Sequence, residues 1–327
     1  MRRNSRAGML AGGGWSFSPF TQDEYQEIHR ATMEVLWETG VFVGHDDALV
    51  LFGDAGASVD KKNRMVRIPE WLIQEILASA PETFVMHARN PENDFLVGGK
   101  RVGFTNFGES VLYRDPYTGE IREPSKKDLA DVVKLTDYLE QVDFHHRAMV
   151  SHDKPPHAQP LHNWDAIASN TDKPFFIGPL TAYNIQTMVE MGIVLAGSEE
   201  DFRRRPFFMI GTCPVSPSRL TGEFCEMIME GARQGLPMMI LSMAMSGASA
   251  PVNLAGTLVA HNVEVLAGIG LAQLVNKGVP CMYGSSTTAM DLRFGTASVG
   301  SPELAMISAG TAGLSNYYGL PSYVAGG

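Results

Sequence analysis

The stretch Lys173-Pro174-Phe175-Phe176-Ile177-Gly178 returns as Arg205-Pro206-Phe207-Phe208-Met209-Ile210-Gly211 and again as Leu236-Pro237-Met238-Met239-Ile240-Leu241-Ser242. Val279-Pro280-Cys281-Met282-Tyr283-Gly284 and Leu320-Pro321-Ser322-Tyr323-Val324-Ala325-Gly326 complete the series. In each, proline enters a short apolar run and small residues leave it. A run without polar alternation reads as a parallel strand buried on both faces. Proline is tolerated at its first residue because that amide need not join the ladder. The prolines at 174, 206, 237, 280 and 321 stand 31 to 43 residues apart, room for one strand, one helix and two loops.

With Asp143 to Val150 as a first strand, the series predicts six strands, and helices near 160–170, 183–197, 221–234, 254–277 and 302–318. Unbroken βα units without a GxGxxG phosphate loop favour a (β/α) barrel over a doubly wound sheet. A closed barrel has eight strands, so the expected fold is α/β, a (β/α)8 TIM-type barrel with about six of its eight strands present. The chain ends where the sixth strand should, and a C-terminally truncated barrel is expected.

Three regions follow: a flexible tail over 1–20, an N-terminal helical and α+β cap over 21–140, and the barrel over 141–327. In the cap, Thr21-Gln22-Asp23-Glu24 has the capping-box pattern and opens a helix that runs to Gly40. A second helix covers Pro69 to Ser79, short extended pieces fill Thr83 to Arg114, and Asp115 to Gly119 is a turn. Ser125 caps a helix that reaches about Glu140.

Of 327 residues, 44 % are hydrophobic and 19 % charged, which supports a large core. The net charge is -10, and the basic run Arg203-Arg204-Arg205 follows Glu199, Glu200 and Asp201, which argues against nucleic acid as a partner. Cys213, Cys225 and Cys281 have no CxxC spacing, which argues against a disulfide framework or a cysteine-rich zinc site. The apolar stretch from Leu254 to Val275 is broken by His261, Asn262 and Glu264, so a soluble, cytoplasmic protein is expected, with no membrane partner.

Active sites of such barrels lie at the C-terminal ends of the strands. That nominates His152 after the first strand, Ser246 after the fourth, and Tyr283, Ser285, Asp291 and Arg293 around the fifth. His145 and His146 would point to opposite faces of one strand and could not share a metal; no metal site is expected. Asn262 and Glu264 read as packing residues on a long helix. The mouth is rich in glycine and small hydroxyls, which suits close approach of a large group better than a dense acid–base cluster.

The chain resembles the trimethylamine methyltransferase family, the corrinoid-dependent enzymes that demethylate methylamines and quaternary amines. The resemblance rests on His29-Arg30-Ala31-Thr32 through Leu36-Trp37-Glu38-Thr39-Gly40-Val41, on Glu123-Pro124-Ser125-Lys126-Lys127-Asp128-Leu129-Ala130 and on Thr212-Cys213-Pro214-Val215-Ser216-Pro217. Asn262-Val263-Glu264-Val265-Leu266-Ala267 and Gly319-Leu320-Pro321 extend it to the end of the chain. It implies a methyltransferase with a (β/α) barrel, no tightly bound cofactor, and a cobalamin (corrinoid) carried by a partner protein as methyl acceptor. Members without pyrrolysine act on quaternary amines, and no pyrrolysine stands in this sequence, so a glycine betaine-like substrate is favoured.

For such a cation, aromatic faces and a carboxylate are wanted, which singles out Tyr283, Phe107 and Asp291, with Arg293 for a betaine carboxylate. The expected partners are a cognate corrinoid protein, a small methylated amine, and further copies of the chain in a homo-oligomer. The alternative is a non-catalytic or truncated barrel that binds a quaternary amine. An aldolase-like barrel would need a strand-end lysine for a Schiff base, and the barrel strands offer none.

Overall fold

The structure, a computed structural model, describes residues 17–99 and 101–326; the tail expected over 1–20 lies largely outside the described residues. The principal elements are α1 (Gln22–Glu34), α2 (Asp46–Asp54), α3 (Glu70–Ser79), α4 (Lys126–Tyr138), β1 (His145–His146), α5 (Gln159–Ala168), β2 (Phe175–Ile177) and α6 (Ala182–Ala196). They continue with α7 (Glu199–Arg204), β3 (Phe208–Thr212), α8 (Gly222–Arg233), β4 (Met238–Ser242), α9 (Leu254–Val275), β5 (Cys281–Ser285), α10 (Pro302–Tyr317) and β6 (Ser322–Val324).

The chain divides into two compact units, residues 84–211 and residues 17–83 with 212–326. This division cuts the chain differently from the 21–140 and 141–327 regions, because the first 67 described residues fold with the last βα units. In the unit of residues 84–211, β1, β2 and β3 run parallel in chain order, with His145, Phe175 and Phe208 in one register row and His146, Phe176 and Met209 in the next. The first row faces helices. Phe175 and Phe208 meet Trp164 of α5 at 5.8 and 5.7 Å between ring centres, and Phe202 of α7 lies 5.7 Å from Phe208. Each such aromatic pair contributes about 0.5–1.5 kcal/mol beyond the area it buries.

The second unit repeats the pattern with β4, β5 and β6 parallel and again in chain order, Met238 to Ser242 pairing with Cys281 to Ser285. The prolines show how they fit at strand entries. Pro174 accepts from the His145 N–H, Pro280 from Met238 and Pro321 from Tyr283, so each joins the ladder through its carbonyl alone. Helix α9 is the core of this unit: α1, α3, α8 and α10 pack around it. By length and composition α9 could cross a membrane, contrary to the reading that its polar residues break the apolar stretch, and 78 % of that apolar window is buried inside the protein. A helix apolar all round belongs in such a core.

Differences from the sequence reading have local causes. Only His145–His146 of the 143–150 strand is regular. The flanking residues form isolated bridges instead, Thr105 with Phe144 and Ser110 with Met149, as a loop runs alongside. Tyr283 and Gly284 lie within β5 rather than after it. The helix opening at Thr21 does have its capping box, and ends in a π-turn, Val35–Thr39, before Gly40 at φ 80°. Helix α2 was not anticipated; its signal is His45, whose Nδ1 accepts from the Asp47 N–H, followed by two aspartates in the first turn.

Candidate active site

The C-terminal ends of the strands carry a polar cluster in each unit. In residues 84–211, the loop from Thr105 to Ser110 runs along β1. Asn106 donates to the His146 carbonyl at 2.6 Å and accepts from the His146 N–H at 3.0 Å, and Ser110 donates to the Ala148 carbonyl at 2.8 Å. Gly108 permits this approach, because a Cβ there would lie 2.2 Å from the Arg147 carbonyl oxygen. His146 packs its ring 4.4 Å from that of Phe176. His145 turns the other way and shares a hydrogen bond with the Thr136 hydroxyl of α4 at 2.9 Å. The two histidines therefore face opposite sides, as the strand period requires. Burial holds both imidazoles neutral, each pKa pushed down to about 3.

Arg147 follows directly. Its guanidinium is buried, donates to the Gly178 carbonyl at 2.8 Å where β2 has just ended, and is ion-paired with Glu109 of the loop. Gly178 leaves room here, since a Cβ on it would stand 3.3 Å from an Arg147 terminal nitrogen and 3.6 Å from Glu109 Oε1. Gly211, at the end of β3, is held by a ring: its Cβ would fall 1.9 Å from Phe176.

The second unit centres on Glu264 of α9, fully buried. It accepts the Ser242 hydroxyl at 2.6 Å, the Ser216 hydroxyl at 2.9 Å and the Ser218 N–H at 3.0 Å. Burial raises its pKa and these donors offset part of the rise. Beside it, His261 shares a 2.9 Å hydrogen bond with Thr287, whose hydroxyl also reaches the Ser242 carbonyl at 3.3 Å. Asn262 donates to Thr32 and Tyr318 and accepts from the Tyr283 hydroxyl at 2.7 Å. Sequence reading took Asn262 and Glu264 as packing residues; the signal to their second role was three polar residues within four positions of an otherwise apolar helix.

The residues singled out from sequence separate. Phe107 is 60 % exposed, and His152 is exposed in the same unit, where its N–H donates to Pro124. The other five fall in the second unit. Tyr283 is enclosed, its hydroxyl engaged by Asn262. Ser246 is buried and donates to the Val252 carbonyl; buried Ser285 accepts from the Thr287 N–H. Asp291 accepts from the N–H groups of Arg293 and Phe294 in a hairpin turn, and the Arg293 guanidinium lies 5.3 Å over the Phe294 ring. Asp291 thus shapes the turn through backbone contacts, which a 2-residue spacing makes easy.

Among the described residues no group of three or more His, Cys, Asp or Glu side chains could hold a metal ion. Cys281 faces Gln273 of α9, and burial pushes its thiol up to about 12. A cavity of about 360 Å³ lined by Asp137, Glu140, Asp143, Asp172 and Lys173 lies before β1 and β2, at the opposite end of these strands from Arg147.

Polar residues gathered where parallel strands end, on a sequential βα frame in each unit, define an α/β protein. Residues 4–327 match the family model described as trimethylamine methyltransferase (MTTB), and the chain belongs to that family. It is 45 % identical over 327 residues to the trimethylamine methyltransferase of Desulfitobacterium hafniense, covering 100 % of this chain and 66 % of the relative. A glycine betaine methyltransferase of the same species is 32 % identical over 313 residues, 95 % of this chain and 64 % of that protein. The chain thus spans about two thirds of the length of these relatives. The Methanosarcina barkeri monomethylamine methyltransferase has a similar fold, with a TM-score of 0.60 at 12 % identity over 93 % of this chain and 62 % of that one.

Proposed function

We propose that the protein moves a methyl group from a quaternary or tertiary amine, glycine betaine-like by preference, to the Co(I) centre of a corrinoid held by a partner protein. The observation that carries this reading is the similarity, along nearly the whole chain, to both trimethylamine and glycine betaine methyltransferases. The sequential parallel order within both units supports the finer reading of a (β/α)8 barrel.

In this reaction the corrinoid is a second substrate. A Co–C bond forms as the C–N bond breaks, and the amine leaves with the bonding pair. A quaternary ammonium already carries the charge that makes it a leaving group, so the protein need only bind, align and exclude water. Gly178 after β2 and, in the second unit, Ser242 and Ser285 at the ends of β4 and β5 are small, which supports close approach of a large acceptor to the strand ends of each unit. Among the residues proposed for substrate contact, Phe107 and His152 in residues 84–211 and Arg293 in the second unit are exposed, Asp291 is half-buried, and Tyr283, Ser246 and Ser285 are buried.

The test is methyl transfer by the full-length protein with its reduced corrinoid protein, offered glycine betaine and trimethylamine in parallel. Methyl-Co(III) should accumulate in the visible spectrum and dimethylglycine should form from betaine. A spectrum unchanged with both amines would reject the proposal.

A further inference from the structure

The Arg147–Glu109 pair is filled only in part. A guanidinium offers a carboxylate a side-on fork made of Nε and one terminal nitrogen, both in the plane and spaced to meet two oxygens. Glu109 takes the terminal nitrogen of that fork through Oε1. The Nε is buried and has no hydrogen-bond partner among the described residues. An unpaired buried donor on a charged group is costly, so the arrangement is one that a better-placed carboxylate would improve. The partner that half-fills the fork is also the less anchored of the two: the Glu109 side chain is 34 % exposed on a loop, the Arg147 side chain 8 %. Arg147 itself is fixed by the Gly178 carbonyl. The site stands where β1 and β2 end, beside Gly178, whose lack of a side chain lets Arg147 and Glu109 lie close to the strand end.

We infer that the side-on edge of Arg147 is the receptor for the carboxylate of a carboxylate-bearing methylated amine, which displaces Glu109 and takes both Nε and the terminal nitrogen. This rests on the function proposed above and names its substrate class more closely. It also assigns the carboxylate to Arg147 instead of Arg293, whose guanidinium lies over Phe294 on an exposed hairpin. Glu109 then acts as an internal competitor that keeps the guanidinium paired until a substrate arrives.

The experiment is calorimetric binding of glycine betaine and of tetramethylammonium to the full-length protein and two variants. Arg147→Lys keeps the charge and removes the fork, and should weaken betaine by about 10- to 100-fold while tetramethylammonium stays within about twofold. Glu109→Gln should tighten betaine several-fold, because the competing charge is gone. Equal losses on both probes in Arg147→Lys or no gain in Glu109→Gln each overturn the inference. Methyl transfer from trimethylamine separates the two claims. Turnover without Arg147-dependent betaine binding overturns this inference alone; Arg147-dependent betaine binding without any methyl transfer overturns the proposed function alone.

Discussion

Glu264, on the central helix of the second unit, accepts the hydroxyl of Ser242 at the end of β4 at 2.6 Å, and with its other oxygen the N–H of Ser218 at 3.0 Å. One carboxylate thus ties a helix, a strand end and the loop after β3. Ser218 is a non-glycine residue at φ 52°, so the loop gives up conformational ease there and the bond to Glu264 offsets it. Glu264→Ala leaves three donors without their acceptor and should destabilise the protein by about 3 kcal/mol. Glu264→Gln, which can accept but also turns an NH2 toward a donor, should cost less. Urea unfolding of both variants checks the order; an Ala variant as stable as the parent would show that water replaces the carboxylate.

The same residue sets a pH dependence at the acid end. Its folded pKa lies above the usual 4.5 of a glutamate, burial being the largest cause. Its contribution is therefore fully present below the unfolded pKa and is lost as pH rises through the folded one. Three histidines act in the opposite sense. His145, His146 and His261 have pKa values pushed down from 6.5 to about 3, burial first in each case, with Lys173 and the neighbouring His146 adding to the effect on His145, and Arg147 to that on His146. Their stabilising share is present above pH 6.5 and is lost as pH falls toward about 3. Urea midpoints should decline across that window by up to about 1.4 kcal/mol per pH unit for each histidine. Replacing His145 by Asn should flatten the slope by close to one proton, and an unaltered slope would remove His145 from the account.

Gly211→Ala places a methyl inside the Phe176 ring, 1.9 Å from its nearest carbon. The ring must move, and it is already in edge contact with His146. The expected loss is about 1–3 kcal/mol. Phe176→Ala opens a cavity of its own, yet the double variant should be less destabilised than the sum, because the second change relieves the first. Chemical denaturation of the four proteins in the cycle measures the coupling, and strict additivity would mean that the backbone, rather than the ring, gives way.

Asn262→Leu keeps the volume and removes all three side-chain bonds to Thr32, Tyr318 and Tyr283. Buried hydroxyls of two tyrosines then lose a partner, and a loss of about 2–4 kcal/mol is expected. Tyr283→Phe, which deletes one hydroxyl and leaves the other bonds of Asn262 in place, should cost about 1 kcal/mol. Equal losses in thermal or urea unfolding would contradict this ranking.

The strands and helices were legible because their signals are local. The proline-led apolar runs became β2 to β6, and Thr21, Ser125 and Ser301 each cap the helix expected after them. The first parallel strand is shorter than the sequence predicts, since no residue from 143 to 150 reveals that a loop 40 residues earlier will bond along it. The polar clusters were hidden for the same reason. Arg147 has an ordinary neighbourhood in sequence, and its meaning comes from Glu109 and Gly178, 38 and 31 positions away. Tyr283 is singled out by sequence as an aromatic face near a strand end, and it is enclosed because it lies inside the fully buried β5, where Asn262 of α9 accepts its hydroxyl.

Helix α9 is so evenly apolar that greasy contact alone would let it turn about its own axis with little penalty. His261, Asn262 and Glu264 remove that freedom, since their partners Thr287, Thr32 with Tyr318, and Ser242 lie in different directions. A slip of one residue rotates the helix by about 100° and parts all three sets of bonds at once. The three polar side chains work as the teeth of a key: the core supplies the adhesion, and they fix the angle at which α9 seats.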